Sequence, residues 1–145
     1  MAGPDRSTRL WGYGGIRLLH TRFSDSGYPR HVHGEYSIGL VVSGALAFDC
    51  GRRSYLATRG QLTAINPEDV HTGTPGGPHG WEARGMLAPW SALRALTPEF
   101  TEGEEPAFRD PIIVDAAAGR ALLEAHIASE RGPDTLASDV INVRR

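Results

Sequence analysis

Lysine is missing from this chain of 145 residues; all fifteen basic residues are arginine, set against seventeen Asp and Glu for a net charge of −2. A segment that grips duplex DNA needs a dense basic patch to replace phosphate counterions, and none is present. The all-arginine usage reads as codon bias from a GC-rich genome. Cysteine is limited to Cys50, so no internal disulfide can form, and no activating group surrounds this thiol in the sequence. It reads as a small packed residue. No stretch approaches the roughly 18 consecutive apolar residues of a membrane helix. The first six residues lead into no apolar run, so a signal peptide is not expected and a cytoplasmic location is. Also missing are a Gly-x-Ser-x-Gly elbow, a phosphate-binding glycine loop and a convincing catalytic carboxylate pair, which argues against an enzyme.

Turn residues are plentiful: eighteen glycines and ten prolines. They divide the first two thirds into short strand-like runs. Residues 1–14 read as an arm or edge strand. Gly15 to Phe23 suits a strand, ended by the turn Ser24-Asp25-Ser26-Gly27. His31 to Val42 makes one or two strands, Ser43-Gly44 reads as a hairpin turn, and Ala45 to Cys50 runs back. Ser54 to Thr58 and Gln61 to Asn66 follow, and Pro67 ends the latter. Thr72 to Pro78 reads as a Gly/Pro-rich loop, and Gly80 to Ala88 as a strand with Trp81, Ala83 and Gly85 on one face. Such regular short strands predict a sandwich or barrel.

Pro89 to Leu96 suits a short helix with proline at its first position. Residues 97–111 are acidic and irregular, and Pro111 to Val114 could be a last short strand. Asp115 is a good N-cap for a helix from Ala116 to about Arg131, with Leu122, Leu123, Ala125, His126 and Ile127 on its apolar side. Gly132-Pro133 ends it. A second helix is expected from Asp134 or Thr135, with Leu136, Val140 and Val143 at i, i+4 and i+7, still running at Arg145. A helix stopping in mid-pattern suggests a longer protein. His20, His79 and His126 read as surface or helix-face residues.

The residues richest in chemistry are His31, His33 and His71. His31 and His33 are two apart in a strand-like run and share a face. His71 follows the turn Asn66-Pro67-Glu68-Asp69-Val70. Three imidazoles so placed can make a three-nitrogen face for a divalent metal. The plainer reading is polar lining of a cavity with no metal, and no cofactor is required. Trp81 can be core or a stacking surface for a ligand. Arg84 can be a solvated strand residue or a clamp for a ligand carboxylate. Tyr36 can close a pocket or fill the core.

The run Gly27-Tyr28-Pro29-Arg30-His31-Val32-His33 with Gly44 resembles the first cupin motif, and Gly60, Pro67 and His71 resemble the second. A closer resemblance is to the sensing domains of AraC-type transcription regulators. It is carried by His31-x-His33-x-x-Tyr36-x-Ile38-Gly39, by Asn66-Pro67-x-x-Val70-His71-Thr72-Gly73, and by Gly80-Trp81-x-x-Arg84. It covers roughly residues 15–90. The chain departs from the patterns in places. Metal cupins usually place a Glu where Ser37 or Ile38 stands here, and in AraC-type domains a Gly commonly occupies the position of Glu68.

The resemblance implies a mainly β fold: a cupin-like double-stranded β-barrel (jelly-roll) of about eight strands, followed by two C-terminal α-helices. Residues 1–114 would form the effector-binding barrel with its arm, and 115–145 a dimerisation and linker segment. A small effector of unidentified structure would sit near His31, His33, Tyr36, His71, Trp81 and Arg84. Leu122, Leu123, Ile127 and Val140 would pair two subunits into a homodimer. DNA would be contacted only through a helix-turn-helix half that follows this segment, and no membrane is involved. The alternative is a small metal-dependent cupin enzyme, a dioxygenase, isomerase or decarboxylase, using His31, His33 and His71 as ligands.

Overall fold

A computed structural model describes residues 6–96, 105–131 and 139–141. The first eight strands are β1 (Arg6–Tyr13), β2 (Ile16–Phe23), β3 (Tyr28–His31), β4 (Tyr36–Cys50), β5 (Arg53–Thr58), β6 (Leu62–Ile65), β7 (His71–Pro75) and β8 (Trp81–Ala88). Helix α1 (Trp90–Leu96), β9 (Ile112–Ile113), α2 (Ala116–Arg131) and β10 (Asp139–Ile141) complete the order. One sheet runs β10-β1-β2-β8-β4-β6-β9; a second joins β3, β7, β4 and β5. All pairings are antiparallel. The two sheets face each other as a jelly-roll whose ladder does not close into a ring.

Local chemistry explains most boundaries. β1 and β2 form a hairpin around Gly14 and Gly15, with φ of 56° and 82°. Two successive positive φ values match the twist of a two-residue hairpin turn. The expected N-cap of α2 is made: the Ala118 amide donates to Asp115 Oδ1 at 3.0 Å.

Two sequence expectations need correction in the barrel. Ser43-Gly44 is not a hairpin turn: β4 passes straight through it as one fifteen-residue strand. Gly44 instead bends β4 from one sheet into the other. Residues up to 44 pair with β6 and β8, while residues from 45 pair with β5 and β7, and the register slips between Val41 and Ser43. Gly44 has φ of 72°, and a Cβ there would stand 2.1 Å from the Gly80 carbonyl oxygen, so no other residue fits. The second correction is the loop expected at Thr72 to Pro78. Its first half is β7, which finds partners in β3 and β4. Tertiary pairing there overrides the weak strand preference of Gly and Pro.

At the C-terminal end, part of the expected second helix lies outside the described residues. Asp139–Ile141, which carry Val140, form a strand on β1, with Val140 opposite Arg9. Val140 is therefore not on a helical dimer face. Adjacent β-branched residues suit a strand, and the free edge of β1 offers a ladder that an i, i+4 spacing alone could not reveal.

Two apolar clusters hold the molecule together. Phe23, Val41, Leu46, Phe48, Ala57, Ile65 and Trp81 fill the space between the sheets. Trp11, Ile16, Leu18 and Ala88 lie on the outer face, where Ala92 and Leu93 of α1 cover them. α2 packs on β4 and β8 on that outer side. No helix among the described residues is long and apolar enough to cross a membrane.

Candidate ligand site

Between the sheets lies a cavity of about 270 Å3. Alternation along the strands decides what it meets. Leu19, Thr21 and Phe23 of β2 point in, as do Ala83, Gly85 and Leu87 of β8. Thr8, Ser37 and Thr63 add hydroxyls, and Thr8 shares a 3.4 Å hydrogen bond with Thr21. None of the lining residues carries a carboxylate, ammonium or guanidinium group.

His31, His33 and His71 stand together on this cavity, each offering one ring nitrogen within 4.8 Å of the others. Three separate local devices aim them. In each ring Nδ1 bonds a main-chain carbonyl two residues away: Pro29 for His31 at 2.8 Å, Glu35 for His33 at 3.0 Å, and Asp69 for His71 at 2.9 Å. A carbonyl can only accept, so each Nδ1 carries a proton, and in the neutral rings it is Nε2 that presents the lone pair. Three lone pairs turned to one region, with no donor among them, suit a Lewis acid or a proton-bearing ligand group. The same bond fixes the tautomer of metal-binding histidines generally, so this donor set fits a divalent cation. Burial holds the His71 imidazole below the ordinary histidine range, and His31 and His33 add to this, against the opposing carbonyl of Asp69. His71 therefore stays neutral, as a ligand must be.

The loops carrying these residues are tied together. The Glu68 amide donates to the His33 carbonyl at 2.9 Å, and Asp69 closes back on the Asn66 carbonyl at 3.2 Å. Glu68 is the one described non-glycine residue at positive φ, 68°. The left-handed conformation that a Gly would take freely is thus kept with a side chain in place.

Tyr36, Trp81 and Arg84 do not line the cavity. Tyr36 turns to the other face of β4, where its hydroxyl donates to the Pro106 carbonyl and its ring meets Trp90 and Phe108. Trp81 is 3% exposed and stacks on Phe23 at 4.3 Å, backing the cavity floor from within the core. Arg84 points outward beneath α2 and bonds His126 and Glu130. Glu35 pairs with Arg17. The thiol of Cys50 is pushed up by burial and then by Asp69, which favours its protonated form.

Two lining aromatics, Phe23 and Tyr28, were not singled out from the sequence. Tyr28 rests edge-on against His31 at 5.1 Å, and burial pushes its hydroxyl up to about 12, so it is a neutral wall. Parity along Leu19, Thr21 and Phe23 was the available signal for one of them. His126, read from sequence as a surface or helix-face residue, is 1% exposed. It faces the barrel because α2 turns its Gly119–His126 side inward.

Structural likeness points to cupins. A RmlC-like cupin from Shewanella frigidimarina superposes with a TM-score of 0.53 at 16% identity, covering 61% of this chain and 80% of its own. The cupin domain of Cnp3 from Schizosaccharomyces pombe gives 0.56 at 4% identity, over 70% and 77%. KdgF from a Halomonas species gives 0.51 at 14% identity, over 60% and 82%. At such identities the likeness establishes the fold alone. Among curated proteins, none matches in sequence. Residues 13–141 match the family described as AraC-like ligand binding domain. That span takes in the three histidines, α2 and every cavity-lining residue except Thr8, and the chain belongs to the AraC-like ligand binding domain family as a ligand-sensing cupin domain.

Proposed function

We propose that this chain is the effector-sensing and dimerising part of an AraC-type transcription regulator, working in the cytoplasm. A small molecule enters the cavity between the sheets and contacts His31, His33 and His71. Its binding biases α2, whose Leu122, Leu123 and Ile127 contribute to a two-fold dimer, and thereby the placing of a helix-turn-helix DNA-binding half. The barrel, residues 1–114, holds the effector; residues 115–145 pass the signal on.

The observation that carries this reading is the cavity itself. At about 270 Å3 it falls just below the range of about 300–1,000 Å3 usual for drug-sized ligands, so the effector is small. Its wall is apolar and hydroxyl-bearing, with the imidazoles as the polar anchor. A divalent metal on the three Nε2 atoms would supply an electrophilic anchor for an oxygen donor of that effector. The convergence of those lone pairs also supports a second reading, a metal-dependent cupin enzyme.

A thermal-shift screen of small metabolites, with and without added Ni2+ or Zn2+, tests the proposal. A binding compound raises the melting temperature. The expected hit is saturable, chemically unchanged after prolonged incubation, and weakened by His33→Ala and by His71→Ala. Turnover of the hit would replace sensing by the enzyme reading. Binding unaffected by both substitutions would remove the histidines from the site.

A further inference from the structure

Helix α2 is fastened to the barrel by buried polar groups. His126 is at the centre. Its Nε2–H donates to the Gly85 carbonyl at 2.9 Å, and its Nδ1 accepts from Arg84 at 3.1 Å. Arg84 also reaches Glu130 Oε1 at 3.1 Å, and Arg9 of β1 meets Glu130 Oε2 at 2.8 Å. Trp11 packs edge-on against the imidazole at 4.9 Å and donates its indole N–H to Ser129. Arg84 and Glu130 are nearly as enclosed as His126, with side chains 12% and 9% exposed.

We propose that His126, Arg84 and Glu130 form a pH-operated latch, which holds α2 on the cavity-lining strand β8 while His126 is neutral and releases it when His126 takes up a proton.

Only one state of the imidazole satisfies both bonds. The Gly85 carbonyl requires a proton on Nε2, and the Arg84 guanidinium, which only donates, requires a lone pair on Nδ1. A second proton would go to Nδ1 and aim an N–H at Arg84. It would also add a cation where Arg84 already stands, with Arg9 on β1 and His20 on β2 close by. Glu130 is the single carboxylate in the latch, because Glu82 on the same face is engaged by His20 and Arg22. Burial lowers the affinity of His126 for that proton first, and Arg84 lowers it further, against the Gly85 carbonyl and Glu130. The docked helix therefore prefers neutral His126. Docking is complete above the ordinary histidine range near 6.5 and weakens as the pH falls below it.

The latch shares a residue with the cavity. Gly85 lines the cavity wall, and its carbonyl is the acceptor for His126. The cavity and the latch therefore meet at a single residue of β8. The latch does not depend on the sensing role, and its test needs no effector.

Hydrogen exchange of the full chain at about pH 7.5 and about pH 5.5 brackets the histidine range. Rates are corrected for the intrinsic effect of pH. The expected result is a loss of protection in α2 of roughly tenfold beyond that of β4 and β8 at the lower pH. His126→Gln is the matched variant, since its amide can donate to Gly85 and accept from Arg84 without titrating. It should hold α2 protection within about twofold over the same range. Equal loss in α2 and the barrel, or the same selective loss in His126→Gln, overturns the latch. If that variant does not fold, an NMR titration of the wild-type His126 ring decides. Protonation with α2 still docked overturns the proposal; coincident protonation and undocking supports it.

Discussion

His31 of β3 stands directly opposite His71 of β7 across the ladder, their ring centroids 4.2 Å apart. The register of two backbones sets this closeness, so the pair forms wherever the barrel forms. His33 joins them from just beyond the end of β3, with centroids 5.7 Å from His31 and 4.9 Å from His71.

A site so prepared should take up a divalent cation with little rearrangement. The expected outcome is one Ni2+ or Zn2+ per chain by calorimetry, with each of His31→Ala, His33→Ala and His71→Ala lowering affinity by roughly 10-fold or more. Affinity should also fall as the pH drops through the histidine range, because protons compete for Nε2. Burial holds His71 below the ordinary histidine range and so favours its neutral, ligating form. An affinity that is flat with pH would place the cation elsewhere.

Glu68 sits in a left-handed conformation that costs a side-chain-bearing residue about 1–2 kcal/mol. Glu68→Gly removes that cost but frees the unfolded chain by about 0.4–1 kcal/mol. The net expectation is a stabilisation of about 0.5–1 kcal/mol, read as a higher urea midpoint with an unchanged slope. A lower midpoint would mean that the Glu68 side chain contributes contacts outweighing its backbone strain.

Gly44→Ala should be severely destabilising, by about 2 kcal/mol or more, because the new methyl group meets the Gly80 carbonyl and the φ of 72° is unfavourable as well. Gly51→Ala is the control. Its φ is similar, 62°, but its Cβ would point into open space, so only the conformational cost of about 1 kcal/mol applies. Equal losses in the two variants would show that the close approach of β4 to residue 80 is not limiting.

Leu122, Leu123 and Ile127 are half-buried along α2. Sedimentation should show a dimer at micromolar concentration, and Leu123→Glu should shift it to monomer with far-UV circular dichroism retained. A wild type that remains monomeric at high concentration would assign these side chains wholly to packing on the barrel.

Much of this was readable in the sequence, and the failures share causes. Gly and Pro punctuation located most strands, and Asp115 announced α2, because turns and caps are local chemistry. The histidine cluster was visible from the spacing of His31 and His33 and from the third ring after Pro67, but the shared strand face expected for the first two is not what joins them: β3 ends at His31, and His33 is aimed by its own bond to the Glu35 carbonyl. Gly44 was misread because a positive-φ glycine serves a hairpin turn and a strand bend alike, and only contact with residue 80 distinguishes them. The strand at residues 71–75 depends on neighbours supplied by β3 and β4. Val140 followed a spacing that suits a helix, yet β1 had a free edge to offer. Arg84 and His126 are 42 residues apart, and no local pattern reports that they meet.

The passage of β4 from one sheet into the other has a mechanical consequence. The two walls of the cavity share one continuous covalent strand that lies inside both sheets, between β8 and β6 in one and between β7 and β5 in the other, so sliding one wall along the other would shear paired ladders on both sides of it. A change in the angle between the walls has to bend β4 at Gly44, where the strand leaves one sheet for the other.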